Sequence, residues 1–468
     1  MKKFTFILLF FVSLAAMAQN DTNEYYWVGF ADKTGTPYSV DKPADYLSPR
    51  ALQRRMRLNI AVDSIDLPVV PNYVKQVAAT GAQVFNVSKW LNGTTVIATA
   101  DEAEKIGELS FVTEVMHINR RAAMVDTTRH NYSAGEELER TKYVIFDSSY
   151  YGHGIEQISQ LHGQPLHQMG YEGQGVLVGV CDGGFPGVDT LSLFASLRNE
   201  GRLKGCRDFV THNASVFRAN DHGTMVLSTM AGNIPGKYVG TAPQANYILC
   251  ITEDTYTESP FEEYNWVSAA EYLDSMGVDV INSSLGYLGF GDTSLNHHFA
   301  DLDGNTAPMS IGAEIAASRG ILCVNSAGNE GRNGASSISV PADAEHILSV
   351  GAVWNNGTLV GFSSYGPTYD SRVKPDVCAQ GVLVTVASPM GGYIKANGTS
   401  FSSPIMAGMV ACLRQACPNG SVVDVWRALR LAGDMADRAN NRYGYGIPDC
   451  TKALHLLKER SHRHERKK

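Results

Sequence analysis

GVLVGVCDGGFPGVD, residues 175 to 189, decides the fold class. Its apolar run from Val176 to Cys181 is unbroken, which suits a strand covered on both faces rather than a half-exposed strand with alternating polarity. The run stops on Asp182, and Gly183 and Gly184 then turn the chain away. ILCVNSAGNEGRNG (321–334) repeats the plan, a short apolar strand closed by a small-residue turn that carries Asn329. Short apolar strands of this kind, alternating with helical runs, predict an α/β fold: a mostly parallel sheet with helices on both faces. Ligand crevices in such sheets open at the carboxyl ends of strands, so Asp182 is expected to face a crevice and not the core.

Two further segments carry chemistry. In NGTSFSSPIMAG (397–408) a Gly-Thr turn sets Ser400 at the start of an apolar helix, where its hydroxyl and its own N–H can face one small volume. Ser400 alone would read equally well as a helix N-cap. A nucleophilic serine needs a base held by a third group, and NDHGTMVLSTMAG (220–232) offers His222 at another helix start. Asn329, with the Ser400 N–H, would supply the two donors that a developing oxyanion requires.

Together these four segments resemble the subtilisin-like serine peptidases. The order Asp182, His222, Ser400 is the one that family uses, whereas an α/β-hydrolase places its serine first within G-x-S-x-G. GTAPQANYILC (240–250), FSSYGP (362–367), KPDV (374–377) and GYGIPDCTKAL (444–454) are similar to further family landmarks, so the resemblance spans roughly residues 160 to 457. It implies that Ser400 attacks a peptide carbonyl, His222 relays the proton, Asp182 orients the imidazole and Asn329 binds the oxyanion. In GVDVINSSLGY (277–287) it implies substrate pairing by Ser284, Leu285 and Gly286, with Ala327 and Gly328 framing the primary pocket. Sedolisin-like peptidases share the Gly-Thr-Ser turn but carry Asp where Asn329 stands and do not use a histidine. Gly183 stands where the family usually has Thr or Ser, which removes a hydroxyl beside Asp182, and Met225 replaces the second histidine of HGTH. Family members commonly bind calcium; the chemistry implied here requires no cofactor, and no acidic loop has spacing that assigns a calcium site.

The ends organise the rest. Lys2 and Lys3, an apolar run from Phe4 to Leu14 and Ala16-Met17-Ala18 predict a signal peptide over 1–18, and hence export to periplasm or exterior. The run is too short for a lasting membrane anchor. Residues 19–126 lack cysteine and read as a small α+β unit: YYWVGF (25–30), an Arg-rich helix after Ser48-Pro49, a segment from Val69 to Ala79, then QVFNVSKW, TTVIATA and VTEVMHI. Standing ahead of the catalytic part, it is expected to be a propeptide acting as intramolecular inhibitor. Residues 127–159 are expected to link it, within a polar stretch from Asn119 to Ser149 holding the processing site, and 458–468 to form a basic tail.

A net charge of −8 argues against nucleic-acid partners, and the family resemblance implies proteins or peptides as substrates. All eight cysteines follow residue 180 without a C-x-x-C pair. Cys181, Cys250 and Cys323 fall in apolar runs and read as buried thiols. Cys206, Cys378, Cys412, Cys417 and Cys450 leave one or two disulfides open, with Cys417 and Cys450 the favoured pair. TEDTYTESPFEEY (252–264) gathers Glu253, Asp254, Glu258, Glu262 and Glu263. It reads either as an acidic border to the cleft favouring basic residues upstream of the cut, or as a solvated loop leading into a helix.

Overall fold

Residues 23–120 and 148–465 are described by the computed structural model. The first of these stretches forms a small α+β unit. Strands β1 (Glu24–Phe30), β2 (Gln83–Ser88), β3 (Gly93–Ala98) and β4 (Val112–Arg120) make an antiparallel sheet in the order β2-β3-β1-β4. Helices α1 (Pro49–Leu58), α2 (Pro71–Ala79) and α3 (Ala100–Gly107) accompany it. Local chemistry sets their starts. The Ser48 hydroxyl accepts from the Ala51 N–H ahead of α1, and Thr99 with Glu102 forms a capping box for α3. Val28, Phe30, Val77, Val96, Ile106 and Phe111 share this unit's core.

The second stretch builds a seven-stranded sheet. Its strands are β5 (Leu177–Asp182), β6 (Leu203–Asp208), β7 (Asn246–Ile251), β8 (Val280–Ser283), β9 (Leu322–Ser326), β10 (Leu348–Val353) and β11 (Val377–Gln380). They lie in the order β11-β10-β9-β8-β5-β7-β6, and every neighbouring pair is parallel. Val178 and Val180 of β5 enter one core with helices α4 (His222–Ala231) and α7 (Thr399–Ala416). Leu177 and Cys181 enter the opposite core with α5 (Phe261–Met276) and α6 (Pro308–Ser318). Two-sided burial accounts for the unbroken apolar run in the sequence. The chain visits β6 and β7 on one side of β5 and then crosses to β8 on the other, so the order reverses beside β5, where open sheets leave a crevice.

Three expectations need correction. The described end of the expected 127–159 linker is not simply linker: helices Ser148–Tyr151 and Ile155–Gln160 bring Tyr151, Ile155 and Ile158 into the main core. The last helix, Cys450–Glu465, continues through most of the expected basic tail. All eight cysteines are free, so the Cys417–Cys450 bridge is not formed. Cys450 opens that helix in a fully buried position and Cys417 caps α7. These thiols pack as small hydrophobes. The expected signal peptide and nearly all of the expected processing stretch lie outside the described residues.

Helix α5 is the seat on which the small unit rests. Trp27 stacks on Tyr264 with ring centroids 4.6 Å apart, and Tyr25 meets Phe261 at 4.1 Å. The Glu271 carboxylate accepts from the Ser88 hydroxyl and from the N–H groups of Lys89 and Trp90. One turn on, Asp274 receives both Arg54 and Arg55 from α1, and all three side chains are buried. Buried charges are tolerated here because each is paired and hydrogen-bonded.

Candidate active site

Asp182 is the last residue of β5 and is wholly buried. Its Oδ1 accepts from His222 Nδ1 at 2.8 Å and from the Gly183 N–H at 2.8 Å. Oδ2 has no hydrogen-bond partner among the described residues. His222 is the first residue of α4, and its own N–H donates to Asn220 Oδ1 at 2.8 Å. The approach of α4 to β5 depends on Gly223: a Cβ there would lie 2.4 Å from the Gly184 carbonyl oxygen and 3.0 Å from Asp182 Cβ. Burial pulls the imidazole pKa down. The charge and hydrogen bond of Asp182, helped by the charges of Glu253 and Asp221, outweigh that and raise it to about 9.

Ser400 lies in the first turn of α7, after Gly398 at φ 149°, and Phe401 beside it brings its ring to 5.8 Å from the His222 ring. Gly398 contributes no side-chain cap, and a first-turn N–H such as that of Ser400 has no acceptor within its own helix. The Ser400 hydroxyl donates to the Ser284 carbonyl at 3.3 Å, and no hydrogen bond joins it to His222 among the described residues. Such contacts are often loose without substrate and tighten when it binds. Asn329 stands in the turn beyond β9, where its Oδ1 accepts from both the N–H and the hydroxyl of Thr399, each at 3.0 Å. That pairing turns the amide nitrogen, the donor end, outward. The Thr399 hydroxyl also accepts from the Gly328 N–H at 3.3 Å. Thr399 is thus the tie between the two turns, a role that spacing alone did not reveal.

The residues framing the crevice divide by how their backbones are engaged. Ser284 follows β8, and its hydroxyl donates to the Ser400 carbonyl at 2.8 Å. The Leu285 carbonyl is taken by Asn325 Nδ2 and the Ser326 hydroxyl, and its side chain is buried. Gly286 makes no hydrogen bond among the described residues. The Ala327 N–H donates to Val350 and its carbonyl accepts from Ser339, so Ala327 is tied into the scaffold.

The acidic stretch before α5 separates in the same way. Glu262 receives the N–H groups of Asp254 and Ser259, Glu263 bonds His297 Nε2 at 2.6 Å, and both are buried. Asp254 caps its own turn through Tyr256 and Thr257. Asp254 and Glu262 organise the loop while Glu263 ties α5 to His297 and Met309, which corrects the reading of the whole stretch as a charged border to the cleft; Glu253 alone adjoins Gly183. No group of three or more His, Cys, Asp or Glu side chains among the described residues is assembled to hold a metal ion.

Residues 173–446 match the subtilase family, Peptidase S8, and residues 25–133 match a Peptidase S8 propeptide domain described for Bacteroidota. The chain is similar to Subtilisin NAT of Bacillus subtilis subsp. natto, 30% identical over 341 residues, covering 70% of this chain and 78% of that protein. It is 29% identical to Subtilisin Savinase of Lederbergia lenta over 297 residues, covering 63% and 97%. Among solved structures, MycP1 from Mycobacterium smegmatis shares the fold at a TM-score of 0.52 and 20% identity, over 64% of this chain and 84% of that one. With a family match over more than half its length and this identity to subtilisins, the chain belongs to the subtilases, serine endopeptidases, and carries an S8 propeptide domain.

Proposed function

We propose that the protein is an exported endopeptidase that acts through Asp182, His222 and Ser400 and matures by cutting its own propeptide. The observation that carries the proposal is the 2.8 Å bond between Asp182 Oδ1 and His222 Nδ1 at the carboxyl end of β5, beside the turn that presents Ser400. Asp182 holds Nδ1 protonated, which leaves Nε2 as the base. When substrate displaces the Ser400–Ser284 hydrogen bond, Nε2 takes the hydroxyl proton as Oγ attacks the carbonyl carbon, and returns it to the leaving amine. Water then releases the acyl group by the same relay. The Ser400 N–H and the Asn329 amide receive the oxyanion, aided by the positive N-terminal end of the 18-residue helix α7. The Ser284 carbonyl and Gly286 are the backbone groups that would pair with the substrate chain; Ala327 and Gly328 wall the primary pocket.

Two observations support the propeptide as inhibitor. Strand β4 runs to Arg120, and Asn119 near its end donates to the Thr257 hydroxyl at 3.3 Å, beside the loop that carries Glu253. The chain therefore leaves the small unit on the side of the crevice, and the cut would fall within the polar stretch from Asn119 to Ser149. No helix among the described residues is long and apolar enough to cross a membrane. The test is to express residues 19–468 and Ser400→Ala side by side, follow their size with time, and label both with a fluorophosphonate. Shortening and labelling of the parent alone is expected. Maturation of Ser400→Ala without added protease would overturn self-processing, and a parent that stays unlabelled after its propeptide is removed would overturn the assignment of Ser400.

A further inference from the structure

Gly183 leaves a space beside Asp182, and a carboxylate from the loop after the neighbouring strand fills it. Asp182 pairs with Ile251 across β5 and β7, and its carbonyl accepts from the Thr252 N–H at 3.1 Å, so Glu253 emerges at the same end of the sheet. A Cβ built on Gly183 would lie 2.7 Å from Glu253 Oε2, 3.0 Å from Thr255 Cγ2 and 3.2 Å from Asn220 Cβ. Residue 183 and Glu253 therefore compete for one volume. The adjoining Asp182 Oδ2 is buried without a partner among the described residues, so the dyad receives no hydrogen bond there to steady its charge. We propose that Glu253 is a positioning residue of the Asp182–His222 dyad, occupying from the loop after β7 the place that residue 183 leaves empty and setting by its charge the pH range in which His222 is a free base. This rests on the reading of Asp182, His222 and Ser400 given above.

The electrostatics agree with the geometry. Burial, and then the charge of Asp182, push the Glu253 carboxyl up to about 7, with the charge of His222 acting the other way. The charges of Glu253 and His222 therefore each favour the charged form of the other. The acids facing the pair are Asp182 from β5, Asp221 from the turn before α4, Asp254 and Glu258 from the segment between β7 and α5, and Glu262 from the first turn of α5. The first turn of α7 contributes no acid. Glu253 differs from Asp254 and Glu262 because their oxygens already accept from their own loop.

The test is the pH profile of the matured enzyme across about pH 5 to 10, read both as kcat/KM on an uncharged peptide and as the rate of fluorophosphonate labelling. Glu253→Gln removes the charge at nearly constant shape, so His222 loses a neighbour that favours its protonated form. The acid limb is expected to move down by about one pH unit, with the plateau rate within a few fold of the parent. Gly183→Ala pushes the Glu253 carboxyl out of its place without supplying a donor, and should move the limb in the same direction. The double variant should move it no further than the larger single effect, because both changes remove the same contact. An unmoved limb in Glu253→Gln, a uniform loss at every pH, or additive shifts in the double variant would each overturn the proposal. A parent enzyme that never labels would overturn the assignment of Ser400 and this inference with it.

Discussion

Asn329 shows how one amide is oriented by a neighbour with no part in the chemistry. Its oxygen is held by the Thr399 N–H and hydroxyl, so the nitrogen is the end that faces the crevice. Asn329→Leu is expected to lower kcat by about two to three decades with little change in KM, since the donor acts on charge that appears only in the transition state. A raised KM at normal kcat would contradict that role. Thr399→Val should reproduce part of the loss by freeing the amide to rotate, with kcat again the parameter that moves. At Asp182 the expectation is steeper: Asp182→Asn should cost on the order of 10⁴ in kcat, because the wrong imidazole tautomer is then favoured. The histidine also fixes the sign of the pH dependence. Its pKa is raised to about 9 in the folded chain, so the favourable Asp182–His222 interaction is complete below the ordinary histidine pKa and is lost as pH rises through about 9. The free base appears over that same alkaline range, so kcat/KM should climb with pH until the fold weakens.

At the scale of elements, two helix starts and one strand end have to meet, and small residues permit it. Gly223→Ala would drive a methyl group against the Gly184 carbonyl and the base of Asp182, forcing α4 away from β5. It is expected to destabilise the protein by roughly 1–3 kcal/mol and to reduce activity more than that loss explains; thermal melting beside kcat/KM separates the two effects. The strand ends were legible in sequence because each apolar run stops abruptly at a polar residue, as at Asp182 and Asn325-Ser326. The acidic stretch was not, because one composition serves two purposes. Glu262 fastens the loop and Glu263 holds His297, both from buried positions, whereas Glu253 lies beside Gly183. The free cysteines escaped for a similar reason: spacing does not reveal that Cys450 starts a helix packed into the core.

For the molecule as a whole, the seat on α5 decides how firmly the propeptide is held. Burial would raise the Asp274 carboxyl, but the charges of Arg54, Lys89 and Arg55 outweigh it and hold the pKa below its ordinary value. Its contribution is therefore complete above the ordinary carboxylate pKa and is lost as pH falls through the lower folded value. Melting of the Ser400→Ala precursor should shift down on acidification below that range. Asp274→Ala leaves two buried guanidinium groups short of a partner and should weaken the precursor by on the order of 3–5 kcal/mol. A melting temperature unchanged from Ser400→Ala alone would show that the aromatic contacts of Trp27 and Tyr25 suffice. By itself the amino-acid sequence determined the α/β class, the small α+β unit ahead of it, and the strand and helix ends on which Asp182, His222, Asn329 and Ser400 stand, because apolar periodicity and the residues that end each run are local properties. Only the tertiary structure decided which acids are buried supports, that Thr399 orients Asn329, that Glu253 fills the space at Gly183, and that Arg54 and Arg55 clasp Asp274. Those depend on side chains that lie far apart in sequence and meet through the packing of strands and helices, which no local pattern encodes.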